Sequence, residues 1–464
     1  MRNFQKIIVV SFLFASTISG TKSEKTVYQN ASLDLTNVLE NVYNNSPDIK
    51  SALHKKRSID ESMAQAISGF YPDIAFQSSY GVQRRKDSNE DYSKRGQFSS
   101  IGITYSQNLY GTGSESEMGV AEGNISSARE EFYASQQNIL FETIKAYIQL
   151  WGSYEILESY KTMAKNLEEV IVSFKARMKE GIVKIQDYES IMSSYLETLS
   201  NIKNTEAQIE IFKATLEQYT CQKITAKPVY PEIPKNLPKS ANEIFELAQK
   251  QNPILLSKKH KISAAENQID FELSALFPLL YLEGSAGRTS YHKNKYFGHT
   301  YSSKNDSAQL GLRLVVPIVT NQGKNGYSNS RKARENLIAA KMLYRQELNN
   351  IRQESESLYN NFISAIALIE ESNIAVKSAE ISLDGYKQEK EFGKKSSTEV
   401  VYNENKLVER KIQRIEAKQR YAIAAFQICQ LIGMLKPRLL NLNIDSFGVK
   451  ANEKRVSKAP FKLN

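Results

Sequence analysis

The 464-residue chain carries 61 Lys and Arg against 51 Asp and Glu, a net charge of +10, and is 41% hydrophobic with a mean hydropathy of −0.46. Only 21 Gly and 11 Pro punctuate it, which excludes a collagen-like chain, argues against wholesale disorder and points to very long helices. Its 2 Cys leave no room for a disulfide scaffold or a zinc cluster.

Arg2 and Lys6 precede the apolar run Ile7–Ala15, and mostly small residues follow from Ser16 to Gly20. This pattern predicts a secretory signal over residues 1–23, removed on export. The run is too short for a bilayer-spanning helix, which takes ~20 residues. Cleavage takes Arg2, Lys6 and Lys22 away and leaves a charge of +7. No later stretch approaches a membrane helix, so any further membrane contact has to be peripheral or made by β-strands.

The remainder is written twice. Asn45-Ser46-Pro47 returns 206 residues later as Gln251-Asn252-Pro253, and Phe70-Tyr71-Pro72 returns at the same offset as Leu276-Phe277-Pro278. Ala146-Tyr147 and Gly181 return 212 residues on, as Leu358-Tyr359 and Gly393. Two structural repeats follow, 32–221 and 239–435. The segment 222–238 joins them, and its four prolines between Pro228 and Pro238 predict an extended connector. A tail, 436–464, has no assignment.

Each repeat reads as a helix, two strands and a very long helix. After Pro72, Ile74, Phe76, Ser78 and Tyr80 alternate with Ala75, Gln77 and Ser79; the strand after Pro278 alternates likewise. Return strands are predicted at Ser99–Tyr105 and Gln309–Val315, where Leu310, Leu312 and Leu314 oppose Gln309, Gly311 and Arg313. Such ten-residue alternation fits a membrane barrel with a wet lumen, and equally a small soluble sheet. Four strands are too few to close a barrel, so a barrel requires several chains. Beyond the strands, Ala333, Leu337, Ala340, Tyr344, Leu348 and Ile351 step by four and three residues. The phase runs on to Tyr386, and the same stripe lies 212 residues earlier, from Ala121 through Ile125, Ala128 and Phe132. It is a coiled-coil seam, and a helix from Ser114 to Met178 is about 100 Å long. Helical patterning resumes after Gly181 and Gly393 to about Tyr219 and Leu435, so each half folds back as a hairpin with a glycine at its tip.

The duplicated helix starts before Pro47 and Pro253, the Tyr71-Pro72 and Phe277-Pro278 pairs, the strand ending Val315-Val316-Pro317-Ile318 and the tip glycines together resemble the TolC family of outer-membrane efflux ducts, over about residues 32–435. The first repeat departs from that pattern with Asn108 where the second has Pro317. The resemblance implies a mainly α fold with a small β part. Duplicated helical hairpins would build a trimeric α-barrel tunnel through the periplasm, and four strands per chain would contribute to a twelve-stranded outer-membrane β-barrel. It implies a homotrimer that touches outer-membrane lipids and meets a periplasmic adaptor and an inner-membrane transporter. Such a duct exports drugs or secreted substrates passively. The rival reading is a non-membrane periplasmic coiled-coil structural or adaptor protein. The loops Arg84–Gln97 and Arg288–Lys304 are expected outside the cell, holding part of the positive charge.

Six residues past each tip glycine stands an acid, Asp187 and Glu399. By resemblance these form acidic rings at the periplasmic entrance, which threefold symmetry turns into a cation-favouring field. Lys395 occupies a position where the family carries a basic residue that ties closed tips, and is expected to pair with Asp187. Tyr402 stands where a second acid is expected. The alternative for both acids is a favourable place in the first turn of a helix.

Chemistry finds no support, so no enzyme and no cofactor are expected. His54 and His260 hold the same repeat position, His292 and His299 fall in an outer loop, and none has metal-ligand spacing. Cys221 and Cys429 end equivalent helices and read as core thiols. Basic residues are interleaved with acids along the helices, which argues against nucleic acid.

Overall fold

Proline and the residue before it split the start of each repeat into two helices. α1 (Leu35–Asn45) stops at Ser46 and α2 (Pro47–Ser68) begins at once; much later α5 (Ala241–Gln251) stops at Asn252 and α6 (Pro253–Ser274) begins. Proline at the first helical position loses nothing, because its missing N–H would be unbonded there anyway, but it forces its predecessor out of the helix. Asn252 caps α6 by accepting the Ile254 and Leu255 N–H groups at 2.9 and 3.1 Å. Ser46, its counterpart, makes no such bond. In a computed structural model the described residues are 33–86, 93–179, 184–296, 299–318, 321–436 and 448–458. The expected signal segment and the tip residue Gly181 lie outside them.

Between these helix pairs come β1 (Asp73–Lys86), β2 (Ser93–Tyr110), α3 (Ser114–Lys179) and α4 (Ile185–Thr220) in the first repeat. The second repeat supplies β3 (Leu279–Tyr296), β4 (His299–Val315), α7 (Asn321–Glu391) and α8 (Ser397–Leu431). The four strands form one antiparallel sheet in the order β1-β2-β3-β4. They run to between 14 and 18 residues, longer than alternation alone suggested. The segments expected as outer loops are largely strand: Arg288 lies inside β3, bonded to Asp306 of β4 through Nε at 2.6 Å.

The stripe of apolar and small residues does what a seam should. Ala121, Ile125, Ala128, Phe132, Ile139 and Leu150 on α3 are buried, as are Ala333, Ile351, Leu358, Phe362 and Val376 on α7. α3 packs on α2 and α6 in one half of its length and on α4 and α8, while α7 packs on α6 and α8. α3 and α7, at 66 and 71 residues, are each about 100 Å long, and the shorter helices pair along them in series. Glycine permits the closest approach: a Cβ on Gly123 of α3 would lie 2.8 Å from Ala264 of α6.

Midway along the long helices, the connector is fastened by tyrosines. The fully buried Tyr147 of α3 places its hydroxyl 2.7 Å from both the Leu33 and Val229 carbonyl oxygens and accepts the Val229 N–H at 3.1 Å. Donating to one carbonyl at a time, it joins Leu33, two residues before α1, to the proline-rich segment. Tyr359 of α7 repeats the arrangement, donating to the Lys239 carbonyl at 2.8 Å, just before α5. The connector also lays Tyr230 edge-on against Trp151, with centroids 4.7 Å apart.

The tail contributes a helix that no sequence motif announced, α9 (Val449–Lys458), docked on α2. Its anchor is Lys56, 2% exposed. The ammonium donates to Asp60 at 2.9 Å, to the Val449 carbonyl at 3.1 Å and to Glu453 at 2.7 Å. Glu453 also takes Arg129 of α3 at 3.1 Å, and Asn452 donates to Asp60 at 2.6 Å. Breaking a buried pair costs about 3–5 kcal/mol, because the surviving charge is stranded. Lys56→Ala should therefore lower the thermal unfolding midpoint of the purified protein markedly, and adding Asp60→Asn should restore part of it. A midpoint equal to wild type in Lys56→Ala would show that the cluster holds nothing together.

Candidate functional site

The tip of the second hairpin is built by two complementary helix ends. α7 closes in a Schellman motif: the Lys394 N–H reaches the Glu389 carbonyl at 2.9 Å and the Gly393 N–H reaches that of Lys390 at 3.0 Å. Gly393 adopts φ +69° with nothing within 4 Å of where a Cβ would stand, so glycine is needed there for conformation and not for space. Three residues on, Ser396 caps α8. Its Oγ accepts the Glu399 N–H at 3.2 Å while Glu399 accepts the Ser396 N–H at 2.9 Å, a reciprocal capping box. The Ser396-x-x-Glu399 spacing is itself the sequence signature of this cap, and the sequence reading passed over it.

Lys395 completes the tip. Its ammonium donates to Glu399 at 2.9 Å and lies 5.0 Å above the centre of the Tyr386 ring. The Ser396 backbone N–H and Lys395 together pull the Glu399 carboxyl down to about 2. The bond to Glu399 raises the Lys395 ammonium in turn. Asp187 stands half-exposed in the first turn of α4, and no bond to Lys395 is formed among the described residues. The structure thus brings together Lys395, just before the cap of α8, and Glu399 in its first turn, and leaves Asp187 separate. A buried cluster of Leu167, Phe174, Ile191 and Val401 joins both hairpins just above the tips, and Tyr402 is exposed.

At the other end, the sheet has two chemically distinct faces. Phe76, Ile103, Ala286 and Ala308 face one another in one row across the four strands, and Ile74, Tyr105, Gly284 and Leu310 in the next. Over these rows the face is apolar and bare, with Phe76 72% exposed and Leu310 75%; one row farther from the helices it carries Ser78, Ile101 and the Arg288–Asp306 pair. The opposite face carries Gln77, Ser100, Thr104, Ser285, Gln309 and the Arg313–Glu283 pair, joined at 2.9 Å. None of the described helices is long and apolar enough to cross a membrane.

The remaining candidates separate. His54 is exposed on α2, and His260 half-buried on α6, where burial lowers its basicity. Among the described residues no group of acids, His and Cys could hold a metal ion. The two thiols are not equivalent. Cys429 is buried within α8 and its thiol is pushed up to about 12 by desolvation. Cys221, expected in the core, is exposed and sits past the end of α4 at φ 56°, a left-handed position that glycine would fill without strain.

Comparison with known proteins agrees with this architecture. The family described as "Outer membrane efflux protein" matches residues 38–222 and 244–434. The outer membrane efflux protein BepC of Brucella suis biovar 1 (strain 1330) is 23% identical over 430 residues, covering 92% of this chain and 91% of that one. The outer membrane protein TolC of Vibrio cholerae is 22% identical over 91% of this chain and 95% of its own. Among solved structures, the Campylobacter jejuni CmeC outer membrane channel superposes with a TM-score of 0.75 at 14% identity, covering 98% of both chains. The outer-membrane channel OprN gives 0.74 at 14% identity, over 86% of this chain and 89% of its own.

The tip cap has a definite pH signature. A carboxyl held below its ordinary value stabilises the fold above that ordinary value, near 4.5, and the contribution fades as pH falls toward about 2. Amide protection in the first turn of α8, measured against the unstructured peptide at the same pH, should be full above pH ~4.5 and decline below it, and Glu399→Gln should remove this pH dependence. Ser396→Ala should cost about 1 kcal/mol of helix stability and lower protection at every pH. Equal exchange in Ser396→Ala and wild type would refute the cap.

Proposed function

The chain belongs to the outer membrane efflux protein family, and from that premise we propose that it is the outer-membrane exit duct of a tripartite efflux pump or a type I secretion system. It conducts drugs or secreted substrates passively across periplasm and outer membrane. The observation that carries this reading is the sheet: four strands, apolar on one face and polar on the other, with β1 and β4 left as unpaired edges. An apolar sheet face bared to water is a liability, whereas against lipid it is stabilising. Three copies joined edge to edge supply twelve strands and remove the edges.

The helices support the same closure. α4, α3, α8 and α7 form a row, and the outer flanks remain apolar: Ile363, Ile366, Ile374 and Ile381 on α7, Leu196 and Ile211 on α4. Those on α7 stand one or two positions from its buried seam, as a second seam would. A contact between two different edges repeats head to tail, and closes into a ring when the rotation allows. The result is a homotrimer with a helical tunnel below its barrel. It is exported by a cleaved signal peptide, lies in outer-membrane lipid, and reaches down to a periplasmic adaptor and an inner-membrane transporter that supplies the energy.

Gating is assigned to the tips. Asp187 and Glu399 form the acidic rings of the entrance, and Lys395 links to Asp187 in the closed state. Because Lys395 already holds Glu399, closure exchanges one exposed carboxylate for another or bridges both. Each such contact is worth ~0–1 kcal/mol, so three of them bias the gate without locking it. A partner protein can overcome a barrier of that size.

The purified protein should be a trimer in detergent that conducts ions in planar bilayers; a soluble, non-conducting monomer would favour the coiled-coil structural or adaptor reading. Lys395→Ala and Asp187→Ala should each raise single-channel conductance, and unchanged conductance would sink the closure link. Glu399→Ala should weaken block by trivalent cations added on the periplasmic side, whereas unaltered block would remove Glu399 from the ring.

A further inference from the structure

The polar face of the sheet holds a charged row at the foot of the barrel, away from the tips. Asp73 faces Ser106, Ser106 faces Glu283 and Glu283 faces Gly311, one line across all four strands. Two residues nearer the helices, Arg313 stands opposite Tyr281 on the same face. Gly311 offers no side chain between them, so the Arg313 guanidinium reaches diagonally to Glu283, with Nε at 2.9 Å. It also stacks on Tyr281, 4.6 Å from the ring centre. Gripped from two sides, the arginine is fixed in place, yet it remains 53% exposed and Glu283 40%. Asp73 is exposed and has no described ion pair.

We propose that Asp73, Glu283 and Arg313 form an ion-selective collar in the lumen of the barrel, in which Glu283 neutralises Arg313 and Asp73 leaves one negative charge per chain. This inference rests on the duct reading, because only a closed barrel turns the polar face into a lumen. The collar favours small cations and cationic cargo, and Glu283 is its tuning residue: without it Arg313 cancels Asp73 and the collar's share of the preference disappears. Twelve strands spaced ~4.8 Å apart and tilted about 40° put the wall roughly 12 Å from the axis. The screening length is about 10 Å at 0.1 M salt and 30 Å at 0.01 M. The charges therefore govern the whole lumen only in dilute salt, and the selectivity fades as salt rises.

The test is the reversal potential of single channels in a KCl gradient held near 0.01 M on the dilute side. Glu283→Gln and Asp73→Asn should each lower the potassium-to-chloride permeability ratio by roughly twofold or more, and Arg313→Gln should raise it. Glu283→Gln/Arg313→Gln together should return to the wild-type ratio. If Glu283→Gln and Arg313→Gln shift the ratio in the same direction, or leave it fixed while the channel conducts, the collar is refuted and the duct stands. A wild-type trimer that does not conduct overturns both. Should a charge variant fail to assemble, Ser106→Cys in a Cys221→Ser background probes the same row. A cationic thiol reagent should then move the ratio toward chloride and an anionic one toward potassium, and the absence of opposite shifts refutes the collar equally.

Discussion

Everything at the middle of this chain hangs on a phenol hydrogen-bonded to a backbone carbonyl, made twice. Helices about 100 Å long have no intrinsic midpoint, since a coiled-coil seam is alike along its length. Tyr147 and Tyr359 create one, each taking the carbonyl of the residue two places before its repeat's first short helix, Leu33 and Lys239. Burial pushes the Tyr147 hydroxyl far above its ordinary range, so it stays a neutral donor. Around that bond the chain collects its largest core, with Val42, Leu140, Ile144, Ile148 and Leu216 all fully buried. Toward the sheet α3 packs on α2 and α6 and toward the tips on α4 and α8, with α8 meeting α3 from Asn138 onward.

The two ends are governed by different physics. Near the sheet, specificity comes from the strict period of two, which sends Ile74 and Phe76 to one face and Ala75 and Gln77 to the other. A slip of one residue would exchange lipid-facing and lumen-facing sets, so register is heavily constrained. At the tips packing thins to a few residues such as Phe174 and Ile191. There exposed hydrogen bonds and charges decide the shape, each weak and exchangeable. The tips are therefore the part of the fold that rearranges at least cost.

The seam was legible because periodicity is a property of the sequence: the positions stepping from Ala121 and from Ala333 became buried ones. The helix starts at Pro47 and Pro253 and the turn at Gly393 were legible because proline and glycine restrict or release the backbone locally. Strand length was not, because Arg288 and Asp306 are individually poor strand residues that become compatible with the sheet only once paired to each other. The contact between Lys395 and Glu399 left no such trace. Lys395 lies just before the cap of α8 and reaches Glu399 in its first turn, whereas a link to Asp187 needs tertiary placement of the other hairpin. Cys221 looked like core because it ends a helix equivalent to the one that Cys429 ends, but α4 stops one residue earlier and leaves it exposed. α9 offers only Val449 and Val456 as buried apolar residues and is held by a lysine buried almost 400 residues upstream, a relation with no local trace.

That last relation spans almost the whole chain. The acceptors of Lys56 on α9 lie 393 and 397 positions later, so one ammonium ties the start of the first repeat to the segment beyond the second. Loop-closure entropy grows only with the logarithm of length, so a contact of such reach costs scarcely more than one across a single repeat. Through Arg129, which shares Glu453, the same cluster is anchored to α3, and the two ends of the sequence meet on one helix.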